Sequence, residues 1–261
     1  MSCSSPIMPV MFLAHGSPMN ALENNEVTRD WQQMIEGITT PKAVVCISAH
    51  WETQGTYITS SALPGTLHDF GGFPQALFDV QYPCPGAPEL AHRIIERVSL
   101  TDIKPDPQRQ LDHGVWCLLL KLYPQANIPV IQISLDATQH AAFHFEMGKE
   151  LAFLREENIL LIGSGNIAHN IRKWMMEPDG PLDWAIEFDQ WIYQAIQRRD
   201  YQSIFNYQSL APYATDAVPT PEHFVPLLYC LGAQNENDSL YTSPFIETTP
   251  EASAMRSLRW S

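Results

Sequence analysis

The sequence predicts an α/β fold: a single domain over residues 1–261, with a mostly parallel central sheet, helices on both faces and a less regular C-terminal third. Two observations carry this reading. Short, continuous apolar runs, of the kind buried on both faces of a parallel sheet, alternate with longer helical stretches as far as about residue 170. Three of those runs, at residues 10–14, 43–49 and 159–163, deliver a histidine at or just beyond their C-terminal ends. In an open α/β sheet that edge is where binding sites form.

Residues 9–14 read as the first buried strand, followed by the loop His15-Gly16-Ser17-Pro18. Trp31, Met34 and Ile35 mark the apolar face of a helix over residues 20–37, which Gly37 and Pro41 end. Residues 43–49 are the second buried strand and residues 56–60 a short third. From Ser61 to Pro88 the chain reads as a long Pro- and Gly-rich loop, and loops of that length are often functional. A helix over 87–99 starts near Pro88. Residues 102–112 read as polar and irregular, and Asp112-His113 leads into an apolar helix ending at Tyr123.

Residues 128–135 read as a further buried strand, 138–157 as one helix and 159–163 as the next strand. A helix over 182–199 shows Trp184, Phe188, Trp191 and Ile192 on its apolar face. Thr220-Pro221 reads as a helix start, with Thr220 as cap, His223 in the first turn and Pro226 as a kink. Residues 240–247 and 253–260 read as two final strands.

The formal net charge of −14 argues against a phosphate-backbone binder and against anionic membrane surfaces, both of which need clustered Lys and Arg. The sequence shows neither a secretory leader nor an apolar run long enough to span a bilayer, so the expected location is cytoplasmic, as a monomer or small homo-oligomer. Five scattered cysteines without a CxxC argue against a disulfide framework and against a cysteine zinc site; Cys46 and Cys117 read as core.

The nine histidines are not equivalent. His92 lies on a helix beside Arg93 and Glu96 and reads as solvated. His140 and His144 share a helix face but lack an HExxH pattern. His15, His50 and His169 each follow a buried strand, where an imidazole needs a partner, water or a metal. Three at equivalent edges point to one shared metal, with His223 a candidate to join them. Imidazole suits iron, zinc, copper and nickel alike. His113, between Asp112 and Gly114-Val115-Trp116, is a candidate acid/base, with Asp112 as the helix cap. His68-Asp69-Phe70 and Phe73, in the long loop, read as a wall for a flat aromatic ligand.

Six segments together resemble a known family: Ala14-His15-Gly16-Ser17-Pro18-Met19, Ser48-Ala49-His50-Trp51, His68 to Pro74, Asp112 to Trp116, Gly163 to Asn170, and Pro219 to Phe224. They resemble the 4,5-DOPA extradiol dioxygenase group of class III extradiol ring-cleavage dioxygenases, the protocatechuate 4,5-dioxygenase type. The resemblance implies one divalent metal, Fe(II) for ring cleavage or Zn(II) as bound. It places His15 and His50 as ligands and His223 at a further ligand position. The wider class uses two histidines and a glutamate, and Glu222 stands next to His223. His169 matches a histidine that is a ligand in some members and an acid/base in the wider class. His113 matches a residue that acts on the bound catechol and oxygen. Ser17, His68, Asp69, Phe70 and Phe73 fall at the implied substrate pocket. The implied reaction opens a catechol such as L-DOPA with O2 to a semialdehyde. Two other readings use the same histidines: a zinc hydrolase, in which a metal-bound water attacks a carbonyl, and a non-catalytic metal-binding protein.

Overall fold

The structure, a computed structural model of the chain, describes residues 7–176, 182–243 and 254–261. Its strands are β1 (Val10–Ala14), β2 (Ala43–Thr53), β3 (Thr56–Thr59), β4 (Ile103–Asp106), β5 (Val130–Asp136), β6 (Ile159–Gly165), β7 (Leu240–Thr242) and β8 (Leu258–Trp260). They form one sheet in the order β4-β3-β5-β2-β6-β1-β8-β7. The central four, β5-β2-β6-β1, run parallel. Antiparallel joins flank them, β3 to β5 on one side and β8 to β1 and β7 on the other.

Alternation along the strands explains why both faces are covered. Val10 and Phe12 enter one apolar cluster, and Met11 and Leu13 the other. The first cluster takes in helices Pro88–Arg97, Ala141–Leu151, Asp183–Gln197 and Val225–Ala233. The second takes in helices Glu26–Met34 and His113–Leu122. A strand buried on both sides has to be apolar throughout, which is why these runs were readable as strands at all.

Several elements differ from the sequence reading, each for a local reason. Residues 102–112 contain β4, despite Pro105. β4 is an edge strand bonded only to β3, so a missing N–H is tolerated. The helix expected over 20–37 begins at Glu26, where Asn25 and Thr28 form a reciprocal cap; a 3-10 turn, Pro18–Ala21, precedes it. The long loop contains one helical turn, Gln75–Phe78. The helix expected over 138–157 divides into Ala141–Leu151 and Phe153–Glu156. The helix after Thr220 starts at Val225, so His223 lies in the turn before it. Pro226 then sits in the first helical turn, where its missing N–H costs nothing and no kink is needed.

Short helices Ile171–Met176, Tyr201–Phe205, Tyr207–Leu210 and Ala214–Ala217 make up much of the irregular C-terminal third. The two last strands are shorter than expected; residues 244–247 and 253 of those stretches, and Cys3, lie outside the described residues. Cys46, Cys84, Cys117 and Cys230 are buried free thiols. Among the described residues no helix is long and apolar enough to cross a membrane.

Candidate active site

The C-terminal edge of the parallel strands gathers the histidines. His15 directly follows β1 and donates its backbone N–H to Gly165 O at 3.2 Å. β6 lies between β1 and β2, and its Gly163-Ser164-Gly165 admits two neighbours at once. A Cβ at Gly163 or Gly165 would collide with the backbone carbonyls of Pro226 and His223. The glycines therefore let the turn before helix Val225–Ala233 lie directly on the strand, and Asn166 N–H secures it by donating to His223 O at 2.9 Å. His50 stands in a bulge. The β2–β5 register holds to Ile47 opposite Ile133 and resumes only at Glu52 opposite Leu135, lifting residues 48–51 off the ladder. His113 opens helix His113–Leu122, and His169 is fixed in the loop after β6 by its N–H to Ala217 O at 2.8 Å.

Five imidazoles meet there. Ring centroids of His15 lie 4.9 Å from His50, 5.3 Å from His223 and 5.7 Å from His113. His50 and His113 are 3.9 Å apart, and His169 stacks on His223 at 3.6 Å. One set of mutually close donor atoms comes from His15, His50 and His223, all within 4.8 Å of one another. Glu222 groups instead with His169 and His223.

Hydrogen bonds fix the tautomers of two of these rings, and a nearby carboxylate biases the third. Ser164 Oγ donates its one hydrogen to Gly114 O, so at 2.9 Å from His15 Nδ1 it must accept. His223 Nδ1 donates to Glu222 Oε1 at 3.0 Å. His50 Nδ1 faces Asp69 Oδ2 at 3.6 Å. In His15 and His223 the proton therefore sits on Nδ1 and the lone pair on Nε2; the His50 contact is too long for a hydrogen bond, but the Asp69 carboxylate favours the same tautomer there. His15 Nε2 and His50 Nε2 then face each other at 3.0 Å. Two lone pairs at that distance repel unless a proton or a cation lies between them. Burial opposes the proton. It pushes the pKa of His15 and His223 well down, helped by the neighbouring histidines, and lowers His50 as well. Neutral imidazoles with Nδ1 anchored are what a divalent metal binds, so the donor set fits one.

Beside this set stands a second pair. Asp69 Oδ1 accepts both the His113 ring Nδ1–H at 2.9 Å and its backbone N–H at 3.0 Å. Burial works to raise the Asp69 carboxyl, but the hydrogen bonds from His113 outweigh it and hold the group near 2. The carboxylate stays ionised and leaves His113 Nε2 as the basic atom. His169 is lowered to about 4, chiefly by burial, with Glu222 opposing.

The loop residues form one side of the site. The Phe70 ring meets the His113 ring edge-on at 5.6 Å, and Phe73 packs behind Phe70 at 5.5 Å. His68 bonds Val80 O at 2.9 Å and packs against Phe70 and Trp116. Ser17 accepts from Met19 N–H at 3.3 Å, the cap of the 3-10 turn. His140 likewise caps its own helix, while His144 bonds the Tyr229 hydroxyl at 3.2 Å, so these two do not act as a pair. His92 is exposed beside Glu96. A cavity of about 710 Å³ lies at the opposite edge of the sheet, between Lys42, Pro88, Pro129 and Ile159, away from all of this chemistry.

Sequence reasoning did not find Ser164 as the partner of His15, nor Asp69 as the partner of both His50 and His113. Asp69 was readable only as a pocket wall, because its partner lies 44 residues away.

Buried imidazoles on parallel strand ends, with a hydrogen-bonded His113–Asp69 pair alongside, make a candidate metal site at the binding edge of an α/β fold. The comparisons narrow this. Residues 5–255 match the family model of the catalytic LigB subunit of aromatic ring-opening dioxygenase, and the chain belongs to that family. It is 46% identical to the 4,5-DOPA dioxygenase extradiol of Escherichia coli (strain K12), over 88% of this chain and 86% of that protein. It is 36% identical to the 4,5-DOPA dioxygenase extradiol of Beta vulgaris, over 91% of each. The crystal structure of an uncharacterized protein from Escherichia coli K12 superposes with a TM-score of 0.82 at 36% identity, covering 97% of this chain and all of the other.

Proposed function

We propose that this protein cleaves the ring of a catechol such as L-DOPA beside its diol, with O2, to a semialdehyde. One divalent ion, Fe(II) during turnover, would be held by His15, His50 and His223. The single observation that carries the reading is the placement of the His113–Asp69 pair against that donor set, with 3.9 Å between the His113 and His50 rings. Bound Fe(II) would supply the redox chemistry that lets O2 react with a chelated catecholate.

The chain's own residues do the rest. Phe70, edge-on to His113, offers an apolar face to the substrate ring, with Phe73 behind it. His113 Nε2 takes a catechol proton, and Asp69 stabilises the imidazolium that forms. The same proton is returned when the O–O bond breaks. His169, stacked on His223, serves as a second acid/base rather than as a required ligand. Ser17 and His68 shape the pocket by holding their loops. Both oxygen atoms of O2 end in the product, so the reaction needs no external reductant.

Three neutral imidazoles also suit zinc. The comparisons nevertheless name ring-opening dioxygenases, and nothing in them supports hydrolysis. We take the chain to act as one catalytic domain, cytoplasmic and monomeric or a small homo-oligomer. The charge of −14 supports the absence of nucleic-acid and membrane partners.

The test is oxygen uptake with L-DOPA and a small panel of catechols. Protein stripped of metal is reloaded anaerobically with Fe(II), and a zinc-loaded sample is run alongside. Uptake in the iron sample alone, with a yellow ring-opened product, is the expected result. Full iron occupancy without uptake on any catechol would overturn the reading.

A further inference from the structure

The Asp112 side chain, which the sequence offers as a helix cap, caps nothing. Asp69 reaches across to take the His113 N–H instead. The Asp112 carboxylate is wholly buried, at 0% exposure, and meets side chains from three separate parts of the chain. Oδ1 accepts from Ser48 Oγ at 2.7 Å. Oδ2 accepts from Arg109 Nη2 at 2.9 Å and from the Gln132 amide.

These partners converge on His50. Ser48 Oγ also accepts the His50 backbone N–H at 3.2 Å. Arg109 Nη2 also donates to His50 O at 3.1 Å, and its guanidinium lies over the Trp51 ring at 5.1 Å. Residues 48–51 are the stretch that leaves the β2–β5 ladder, so their backbone polar groups need other partners. Both polar backbone atoms of His50 are thus served by residues bound to Asp112. Gly114 lets the helix start close on the bulge: a Cβ there would come 2.6 Å from Ser48 Oγ and 3.0 Å from His50 Cδ2. A buried carboxylate is expensive to keep, and capping does not account for this one.

We propose that Asp112 is a positioning residue that sets the separation between His50 and His113. Through Ser48 and Arg109 it holds the bulge that carries His50. As the residue before His113 it also fixes the start of that helix. The roles of His50 and His113 rest on the function proposed above; the linkage between them does not.

Two variants test this. Asp112→Asn keeps the size and removes the charge opposite Arg109. Arg109→Met frees His50 O and removes the cation beside Asp112, while leaving the Asp112 side chain and its bonds to Ser48 and Gln132 in place. Loaded with Co(II), each should still bind one ion per chain but show a shifted visible absorption band, because the band reports ligand geometry. Loaded with Fe(II), each should lose on the order of tenfold to a hundredfold in kcat, with catechol KM changed by no more than about twofold. The double variant should lose no more than the worse single one, as expected for one unit.

Asp189→Asn is the control. It breaks the buried Asp189–Arg256 pair and should lower stability without moving the cobalt band or kcat. An unchanged band and kcat in both single variants, or the same changes in Asp189→Asn, would overturn the proposal. If Asp112→Asn does not fold, Arg109→Met decides. If the wild type takes up no oxygen with any catechol, the catalytic reading fails and the cobalt band still decides the linkage.

Discussion

Asp69 and His113 are joined twice: one carboxylate oxygen accepts the ring Nδ1–H and the backbone N–H of the same residue. The bond to the backbone caps the helix from outside, and the bond to the ring sets the tautomer. Replacing His113 with Ala should lower kcat by about 10²–10⁴-fold, the usual range for acid–base catalysis, with metal content unchanged. Asp69→Ala should lower kcat less and also destabilise the fold by about 0.5–2 kcal/mol as a lost cap. Steady-state kinetics, metal analysis and urea unfolding check both.

Metal retention should divide the surrounding residues into two groups. His15→Ala, His50→Ala and His223→Ala should each abolish binding. Ser164→Ala and Glu222→Gln, which change the Nδ1 partners of His15 and His223 and leave the ligand rings in place, should weaken it by about 10–100-fold. Competition against a chelator measures the difference. Equal effects in the two groups would count against the ligand assignment.

Gly165→Ala tests the close approach of the His223 turn to β6. The added methyl group meets the His223 carbonyl and has no room to move. A cost of about 1–3 kcal/mol in urea unfolding is expected for such overpacking, together with weakened metal binding. Gly55→Ala is the contrast: its added carbon meets nothing within 4 Å, though its φ of +86° still strains the turn, so it should lose stability with metal binding intact.

Acid should destabilise the metal-free protein well above the carboxylate range. His144 and His169 are both lowered from 6.5 to about 4, chiefly by burial. Their folded-state pKa lies below the unfolded value, so the unfolded chain binds protons first as pH falls. Stability is therefore full above about pH 6.5 and is lost progressively down to about pH 4. The urea midpoint at pH 5 should lie below that at pH 7. His144→Gln, outside the histidine cluster, should flatten part of that slope.

The strand ends were legible because parallel strands buried on both faces leave unbroken apolar runs; one histidine after such a run reads as structural, and it is three at equivalent edges that point to a shared site. His15, His50 and His223 were singled out that way or through the resemblance, and the fold brings their donor atoms within 4.8 Å of one another. β4 was hidden by Pro105, whose missing N–H matters only on an inner strand. The His50 bulge was hidden because Ser48-Ala49-His50-Trp51 continues the strand pattern, and what lifts it from the ladder is Asp112 and Arg109, about sixty residues further on. The start of the last long helix was misplaced because Thr220-Pro221 is a good local start signal, yet Gly165 and Asn166 pin the following turn to β6. Local patterns reveal elements; pairings between distant segments emerge only in three dimensions.

β6 separates the strands that carry His15 and His50. Neighbouring strands lie about 4.8 Å apart, so the two ligand-bearing strands are held roughly 9–10 Å apart by backbone ladders alone. Their spacing owes nothing to an ion. The strand spacing is thus set before any ion arrives, and the three imidazoles offer a donor type that suits several divalent ions alike. Selectivity then falls to the supply of metals in the surroundings, where zinc outcompetes iron for nitrogen donors. With Fe(II) as the working ion of the function proposed above, zinc in the same cradle would leave the protein idle, and its active fraction should follow the history of its metal exposure.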